Sequence, residues 1–222
     1  MFKRILFDLD GTLTDPKTGI TRCVQHALRH FGIEEDTDNL TKFIGPPLID
    51  SFMEFYGFDL SQAREATDVY RERFAPIGKF ENEIYDGIAE MLSALKEKGI
   101  ILAVASSKPE LFVEQILEHF DIRQYFDVVV GSLMNETRTK KEEVIEEALT
   151  RLNVPIRKGD NLIHDQEIAM VGDRKFDVCS ANYYGLTSVG VRFGYAEPME
   201  LENSNPDYIA DSVEELKKYL LK

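Results

Sequence analysis

The sequence predicts an α/β fold, a doubly wound parallel sheet interrupted early by a small α-helical domain. Three observations carry this expectation. Short apolar runs alternate with amphipathic helical patterns from residue 82 onward, the texture of a parallel sheet covered on both faces. One apolar run precedes residue 16, and the interval 16–81 is helical and acidic with no such run. The chain of 222 residues is long enough for a large core and a smaller inserted domain. The expected organisation is a core of residues 1–15 and 82–222, with the helical domain at 16–81 inserted after the first strand.

Taken in order, Phe2 to Phe7 is rich in β-formers and reads as a buried strand ending at Asp8. A Gly/Thr/Pro-rich turn follows, then a helix whose inward face is Ile20, Val24, Ala27, Leu28 and Phe31, stopped by Gly32. Residues 34–81 are broken by Gly45-Pro46-Pro47, Gly57 and Pro76-Ile77-Gly78. Phe52, Phe55, Tyr56, Phe58, Tyr70 and Phe74 are expected to form this domain's own core. Ile88, Met91, Leu92 and Leu95 then line a helix ended by Gly99, and Ile100 to Ala105 is a strand. Pro109 opens a helix at its first position, with Phe112, Ile116, Leu117 and Phe120 inward. Val128 to Val130 is a strand, and Val144, Ile145, Ala148, Leu149 and Leu152 mark a helix face. Asn153 to Glu167 reads as a surface loop before the strand Ile168 to Val171. A helix at Phe176 to Tyr184, strands at Thr187 to Val191 and Tyr208-Ile209, and a capping-box signature of Ser212 with Glu215 complete the chain.

Composition narrows the function. Hydrophobic residues make up 43% and charged residues 30%, ordinary for a globular enzyme. Against 40 acidic residues stand 26 basic ones, a formal charge of −14. That sign disfavours nucleic acid and anionic membrane surfaces as partners. An anionic substrate then needs a local cationic patch or a metal. No stretch approaches the roughly 18 apolar residues of a membrane span. Met1 to Phe7 runs straight into Asp8 without the features of a signal peptide, so a cytoplasmic enzyme is expected. Cys23 and Cys179 lack ligand-like spacing and read as reduced thiols on helix faces. His26, His30, His119 and His164 likewise show no metal-ligand spacing.

Ligands of open parallel α/β sheets bind outside the carboxyl ends of the strands. Those ends carry Asp8-Leu9-Asp10-Gly11-Thr12, Ser106-Ser107-Lys108 and Gly172-Asp173, and the loop Thr137-Arg138-Thr139-Lys140-Lys141 faces the same side. Asp8, Asp10 and Asp173 offer the hard oxygen ligands that Mg²⁺ prefers. Ser106 and nearby N–H groups suit phosphoryl oxygens, and a lysine neutralises charge on those oxygens and on an attacking carboxylate. An aspartate can then carry the phosphoryl group as an acyl phosphate.

These residues carry a resemblance. Asp8-Leu9-Asp10-Gly11-Thr12-Leu13-Thr14-Asp15 resembles the first motif of the haloacid dehalogenase superfamily. Ser106 after Ile101-Leu102-Ala103-Val104-Ala105 is similar to the second, Lys141 or Lys140 to the third, and Gly172-Asp173-Arg174-Lys175-Phe176-Asp177 to the fourth. The helical insertion is similar to the cap of the phosphoglycolate phosphatase-like and 5'-nucleotidase-like branch. Phe43-Ile44-Gly45-Pro46-Pro47-Leu48 and Ala105-Ser106-Ser107-Lys108-Pro109-Glu110 resemble loops of that branch. The resemblance implies a Rossmann-like core and a Mg²⁺-dependent phosphatase acting on a small phosphorylated metabolite, as monomer or homodimer. Asp8 would attack phosphorus and bind Mg²⁺. Asp10 would serve as acid and base, its carbonyl touching the metal. Ser106 and Ser107 would bind phosphate, Lys141 would stabilise it and Asp8, Asp173 would ligate Mg²⁺, and Asp177 would support the metal through water. The spacing before the helix favours Lys141 over Lys140, and cap closure is expected to govern substrate choice.

Each residue also has a plainer reading. Asp8 and Asp10 can merely begin a turn, Ser106 and Ser107 can be loop residues, and Asp177 can serve the helix dipole. Only their order along one chain favours chemistry. A mutase of the β-phosphoglucomutase type uses the same first motif. Dehalogenase activity is disfavoured by Asp10, and a phosphonatase lacks a persuasive lysine among Lys17, Lys42 and Lys79. A phosphoacceptor receiver module also gathers carboxylates and a lysine at strand ends, but the insertion and Asp10 argue against it.

Overall fold

The computed structural model describes residues 1–156 and 164–222. Its chain runs β1 (Arg4–Phe7), β2 (Thr14–Asp15), α1 (Lys17–His30), α2 (Leu48–Tyr56), α3 (Leu60–Phe74) and β3 (Glu83–Ile84). It continues with α4 (Ile88–Glu97), β4 (Ile101–Pro109), α5 (Glu110–His119), β5 (Val128–Ser132), α6 (Lys141–Arg151) and β6 (Asp165–Gly172). The last elements are α7 (Lys175–Tyr183), β7 (Leu186–Val191), α8 (Glu200–Asn203), β8 (Tyr208–Ala210) and α9 (Val213–Leu220). Two compact units emerge, residues 1–14 with 84–222, and residues 15–83.

The larger unit is a parallel sheet in the order β5-β4-β1-β6-β7-β8. Successive side chains of a strand point to opposite faces, and here both faces are apolar and covered. Ile5, Phe7, Leu102, Val104, Ala169 and Val171 meet α4, α5 and α9 through residues such as Met91, Ile116 and Leu216. Leu6, Ala103, Ala105, Ile168 and Met170 meet α6 and α7 through Val144, Ala148 and Ala181. From β1 the chain winds outward through β4 and β5, then returns to the other side of β1 and winds out through β6, β7 and β8. The order reverses between β1 and β6, the switch point where such folds place their ligands.

The smaller unit, taken by itself, packs α1 against α3 with Ile20, Val24, Ala27 and Leu28 inward. Phe52, Phe58, Tyr70 and Phe74 are buried, with Phe43 and Phe52 rings 5.0 Å apart and Tyr70 stacked on Phe74. Phe55 and Tyr56 are half-buried, and Lys42 Nζ lies 4.6 Å from the Phe55 ring centre. A capping box starts α3, since the Gln62 N–H donates to Asp59 Oδ1 and the Asp59 N–H to Gln62 Oε1.

Several boundaries differ from the sequence expectation. β4 runs on through Ser106-Ser107-Lys108 to Pro109, with a register irregularity between Ala105 and Pro109. Pro109 therefore precedes α5 instead of occupying its first position. The expected loop at Asn153 to Glu167 ends earlier, because β6 already begins at Asp165 and pairs with β7; residues 157–163 of that expectation lie outside the described residues. At α9 the Glu215 N–H donates to Ser212 Oγ, while the Glu215 carboxylate takes the Asp211 N–H. Among the described residues, no helix is long and apolar enough to cross a membrane.

Candidate active site

At the end of β1 the chain turns tightly. The N–H groups of Thr12, Leu13 and Thr14 all donate to the Leu9 carbonyl, and the Gly11 N–H donates to the Thr14 carbonyl. Gly11 sits in the left-handed region at φ +78°, and a Cβ there would lie 2.2 Å from an Asp173 carboxylate oxygen. Both facts require glycine. The turn leaves Asp8 and Asp10 nearly buried at 4% and 7% exposure. Asp8 Oδ1 accepts from the Leu9 N–H at 2.8 Å.

Lys141 is the first residue of α6 and is buried, whereas Lys140 is exposed. The Lys141 ammonium reaches Asp8 Oδ1 at 2.9 Å, Asp177 Oδ1 at 2.8 Å and the Ala105 carbonyl at 3.0 Å. Of the two adjacent lysines, Lys141 is therefore the one inside the site.

Asp173 follows β6 and is fully buried; the Tyr195 N–H, from the loop after β7, donates to its Oδ2 at 2.8 Å. Asp177 lies in the first turn of α7, where its Oδ2 accepts the Arg174 N–H at 3.1 Å. Carboxylate oxygens of Asp8, Asp173 and Asp177 all lie within 4.8 Å of one another. The Asp10 carboxylate points elsewhere, to the Lys108 ammonium at 2.9 Å. Ser106 is buried and Ser107 half-buried on the extension of β4, and the Lys108 N–H lies 3.4 Å from Ser106 Oγ.

Electrostatics follow from this crowding. Burial, together with the charges of Asp177 and Asp8, holds the Asp173 carboxyl well above the usual carboxylate range. Burial also pushes Asp10 up, against the opposing pull of Lys108. Burial alone would lower Lys141, but Asp177 and Asp8 outweigh it and hold the lysine above its ordinary value, so it stays charged. Asp8, Asp10, Asp173 and Asp177 face the ammonium groups of Lys108 and Lys141, an excess of negative charge when all are ionised. Three buried oxygen donors with uncompensated charge fit a hard divalent cation such as Mg²⁺.

The structure thus brings Asp8, Asp10, Ser106, Lys141, Asp173 and Asp177 to one rim of the sheet. Lys108 is the residue to which the sequence reading gave no role. A lysine before a proline in a polar run looks solvated, yet its side chain is only 7% exposed. The four histidines are exposed, with His30 paired to Glu65 and His164 near Asp207.

Comparison with known proteins adds an independent line. A family model described as haloacid dehalogenase-like hydrolase matches residues 5–191. The chain is 42% identical over 220 residues to a 5'-nucleotidase of Pseudomonas aeruginosa, covering 99% of this chain and 96% of that one. It is 35% identical over 219 residues to the tyrosine-protein kinase PtkA of Mycobacterium tuberculosis, covering 97% of this chain and 72% of that one. A crystal structure of a predicted phosphatase from Clostridium acetobutylicum superposes with a TM-score of 0.92 at 46% identity, covering 100% and 99% of the two chains.

Proposed function

Because the chain belongs to the haloacid dehalogenase-like hydrolase family, we propose that it is a phosphatase that hydrolyses a small phosphate monoester through a phospho-aspartyl intermediate on Asp8. The observation that carries this reading is the separation of two neighbouring carboxylates. Asp8 shares Lys141 with Asp177 at 2.9 and 2.8 Å, while Asp10 has its own ammonium, Lys108, at 2.9 Å. Two carboxylates with different surroundings suit different tasks, one attacking and one moving protons.

In the proposed reaction a carboxylate oxygen of Asp8 forms a bond to phosphorus as the ester P–O bond breaks. Asp10 gives its proton to the departing alkoxide oxygen, and the alcohol leaves. Asp10 then takes a proton from water, whose oxygen attacks phosphorus, and the acyl-phosphate bond breaks to return Asp8 and inorganic phosphate. Lys141 and the hydroxyls of Ser106 and Ser107 hold the phosphoryl oxygens. Asp8, Asp173 and Asp177, with the Asp10 carbonyl, would hold Mg²⁺, which when bound supplies positive charge to the phosphoryl oxygens and to the carboxylates. The helical unit is assigned the role of a cap that selects the leaving group.

The 42% identity to a 5'-nucleotidase favours a nucleoside monophosphate as substrate, with phosphoglycolate the other candidate. The 35% identity to a tyrosine-protein kinase favours a second reading, in which Asp8 passes its phosphoryl group to a tyrosine hydroxyl. A screen of phosphorylated metabolites with Mg²⁺ separates them, using nucleoside monophosphates, phosphoglycolate, sugar phosphates, pyrophosphate and phosphotyrosine, with a parallel assay of phosphate transfer from ATP to tyrosine. Turnover of a monoester, lost on chelation and reduced at least about 10³-fold in Asp8→Asn, is the expected result. A folded Asp8→Asn variant with appreciable turnover removes Asp8 as nucleophile.

A further inference from the structure

Beside the cluster lies another buried carboxylate that the reaction above does not use. Glu200, the first residue of α8, is 9% exposed. It accepts the Arg174 Nε–H at 2.9 Å and the Lys175 N–H at 2.8 Å on Oε1, and the Arg174 Nη2–H at 3.2 Å and the Glu197 N–H at 3.1 Å on Oε2. Burial pushes this carboxyl up, but the guanidinium and the two main-chain donors outweigh burial and hold it below its ordinary value. It is therefore a charged group with both oxygens doubly engaged, the condition under which a buried ion pair is tolerated.

The donors come from two segments, and each segment bears on Asp173. Arg174 and Lys175 follow Asp173 directly and lead into the α7 turn that carries Asp177. Glu197 lies in the loop after β7, two residues beyond the Tyr195 N–H that donates to Asp173. That loop presses on the site, since a Cβ at Gly194 would lie 2.3 Å from Asp173 Cβ and 2.4 Å from the Gly11 carbonyl oxygen. Asp173 is thus gripped from its own chain and from a second loop, and one carboxylate ties the two together.

We propose that Glu200 is a positioning residue for the cation site, clamping the 173–177 turn and the 195–197 loop so that Asp173 and Asp177 are presented as preformed ligands. This rests on the reading that Asp8, Asp173 and Asp177 hold Mg²⁺. Partners that orient ligating carboxylates typically contribute about 10- to 100-fold in metal affinity. Glu200→Gln keeps the shape, removes the charge and sets an NH₂ group against a main-chain N–H donor.

The test titrates Mg²⁺ calorimetrically into the full-length wild type, Glu200→Gln, Asp173→Asn and Glu202→Gln, whose side chain pairs with Arg192 at the surface. Wild type and Glu202→Gln should bind alike, Asp173→Asn should not bind, and Glu200→Gln should bind about tenfold more weakly or worse. With p-nitrophenyl phosphate, the Mg²⁺ concentration for half-maximal rate should rise in parallel in Glu200→Gln. Its kcat at saturating Mg²⁺ should fall less than about fivefold, because the reacting groups are intact. A folded Glu200→Gln with wild-type Mg²⁺ affinity overturns the proposal. If circular dichroism shows that variant unfolded, Arg174→Met, which leaves Glu200 its two main-chain donors, decides instead: weakened binding supports the clamp, and unchanged binding overturns it. Wild type that binds no Mg²⁺ overturns the metal reading itself, and the clamp falls with it.

Discussion

Lys108 and Lys141 divide the carboxylates of the site, and the division shapes what substitution does. Lys108 pairs with Asp10 at 2.9 Å where both side chains are nearly buried. Lys108→Met leaves the Asp10 carboxylate buried without its ammonium, free to protonate permanently or to rotate. If Asp10 handles both protons of the cycle, kcat should fall about 10²-fold, in the range that acid–base groups contribute, with KM changed only a few-fold. Steady-state kinetics giving kcat within twofold of wild type would separate Lys108 from the chemistry. At this scale much of the site was legible, because Asp8, Asp10, Ser106 and Asp173 stand at or just beyond the ends of apolar runs. Lys108 was not, since its inward turn depends on β4 continuing past Ala105 with an irregular register. The sequence placed Asp177 one water away from the metal, with service to a helix dipole as its plainer reading; the packing of α7 on β6 sets its oxygens among those of Asp8 and Asp173. Lys140 and Lys141 differ only in which one the start of α6 turns inward.

Among the elements, the start of α5 is tied to the loop before α6 through Glu110. Its Oε2 accepts from Arg138 at 2.8 Å and from Arg151 at 3.2 Å, as well as from the Gly131 N–H at 3.2 Å, and Arg138 Nε–H donates to the Gly131 carbonyl at 2.8 Å. This network joins the extension that carries Ser106 and Lys108 to the loop that delivers Lys141. Its groups are partly exposed, so each pair alone is weak, and the value lies in the shared carboxylate. Glu110→Ala should cost about 1 kcal/mol, a drop in Tm of about 2–4 °C for a domain of this size. Thermal denaturation showing no change would reduce the network to surface decoration. The sheet was legible as an alternation of apolar strands and one-sided helices. The extension of β4 was not, because Ser106-Ser107-Lys108-Pro109 has a loop's composition, and the early start of β6 was not, because Asp165-Gln166-Glu167 is polar on both faces.

For the whole molecule, acid resistance depends on groups outside the cluster as well. Partial burial raises the Asp127 carboxyl, but the Lys96 ammonium at 2.7 Å and the Leu102 N–H at 2.9 Å more than compensate, holding it below its ordinary 3.8. A carboxyl lowered in the folded state stabilises above its unfolded value and loses that contribution as pH falls through the folded one. The Tm gap between wild type and Asp127→Asn should therefore be constant from neutrality down to about pH 5 and close below about pH 4; a gap that widens in acid has the wrong sign. The sheet order bears on assembly too. Arg4 of β1 is flanked by Ile101 on one side and Ile168 on the other. During synthesis, Asp8 leaves the ribosome well before β4 and β6, the two strands that flank its own. Bringing such distant segments together carries a loop-closure cost and makes formation of the central strand slow. The helical unit, whose contacts are local, emerges in between and can organise while β1 still waits. Asp8, the proposed nucleophile, is made before the strands that come to surround it, so a chain stalled ahead of β6 carries that carboxylate without the means to use it.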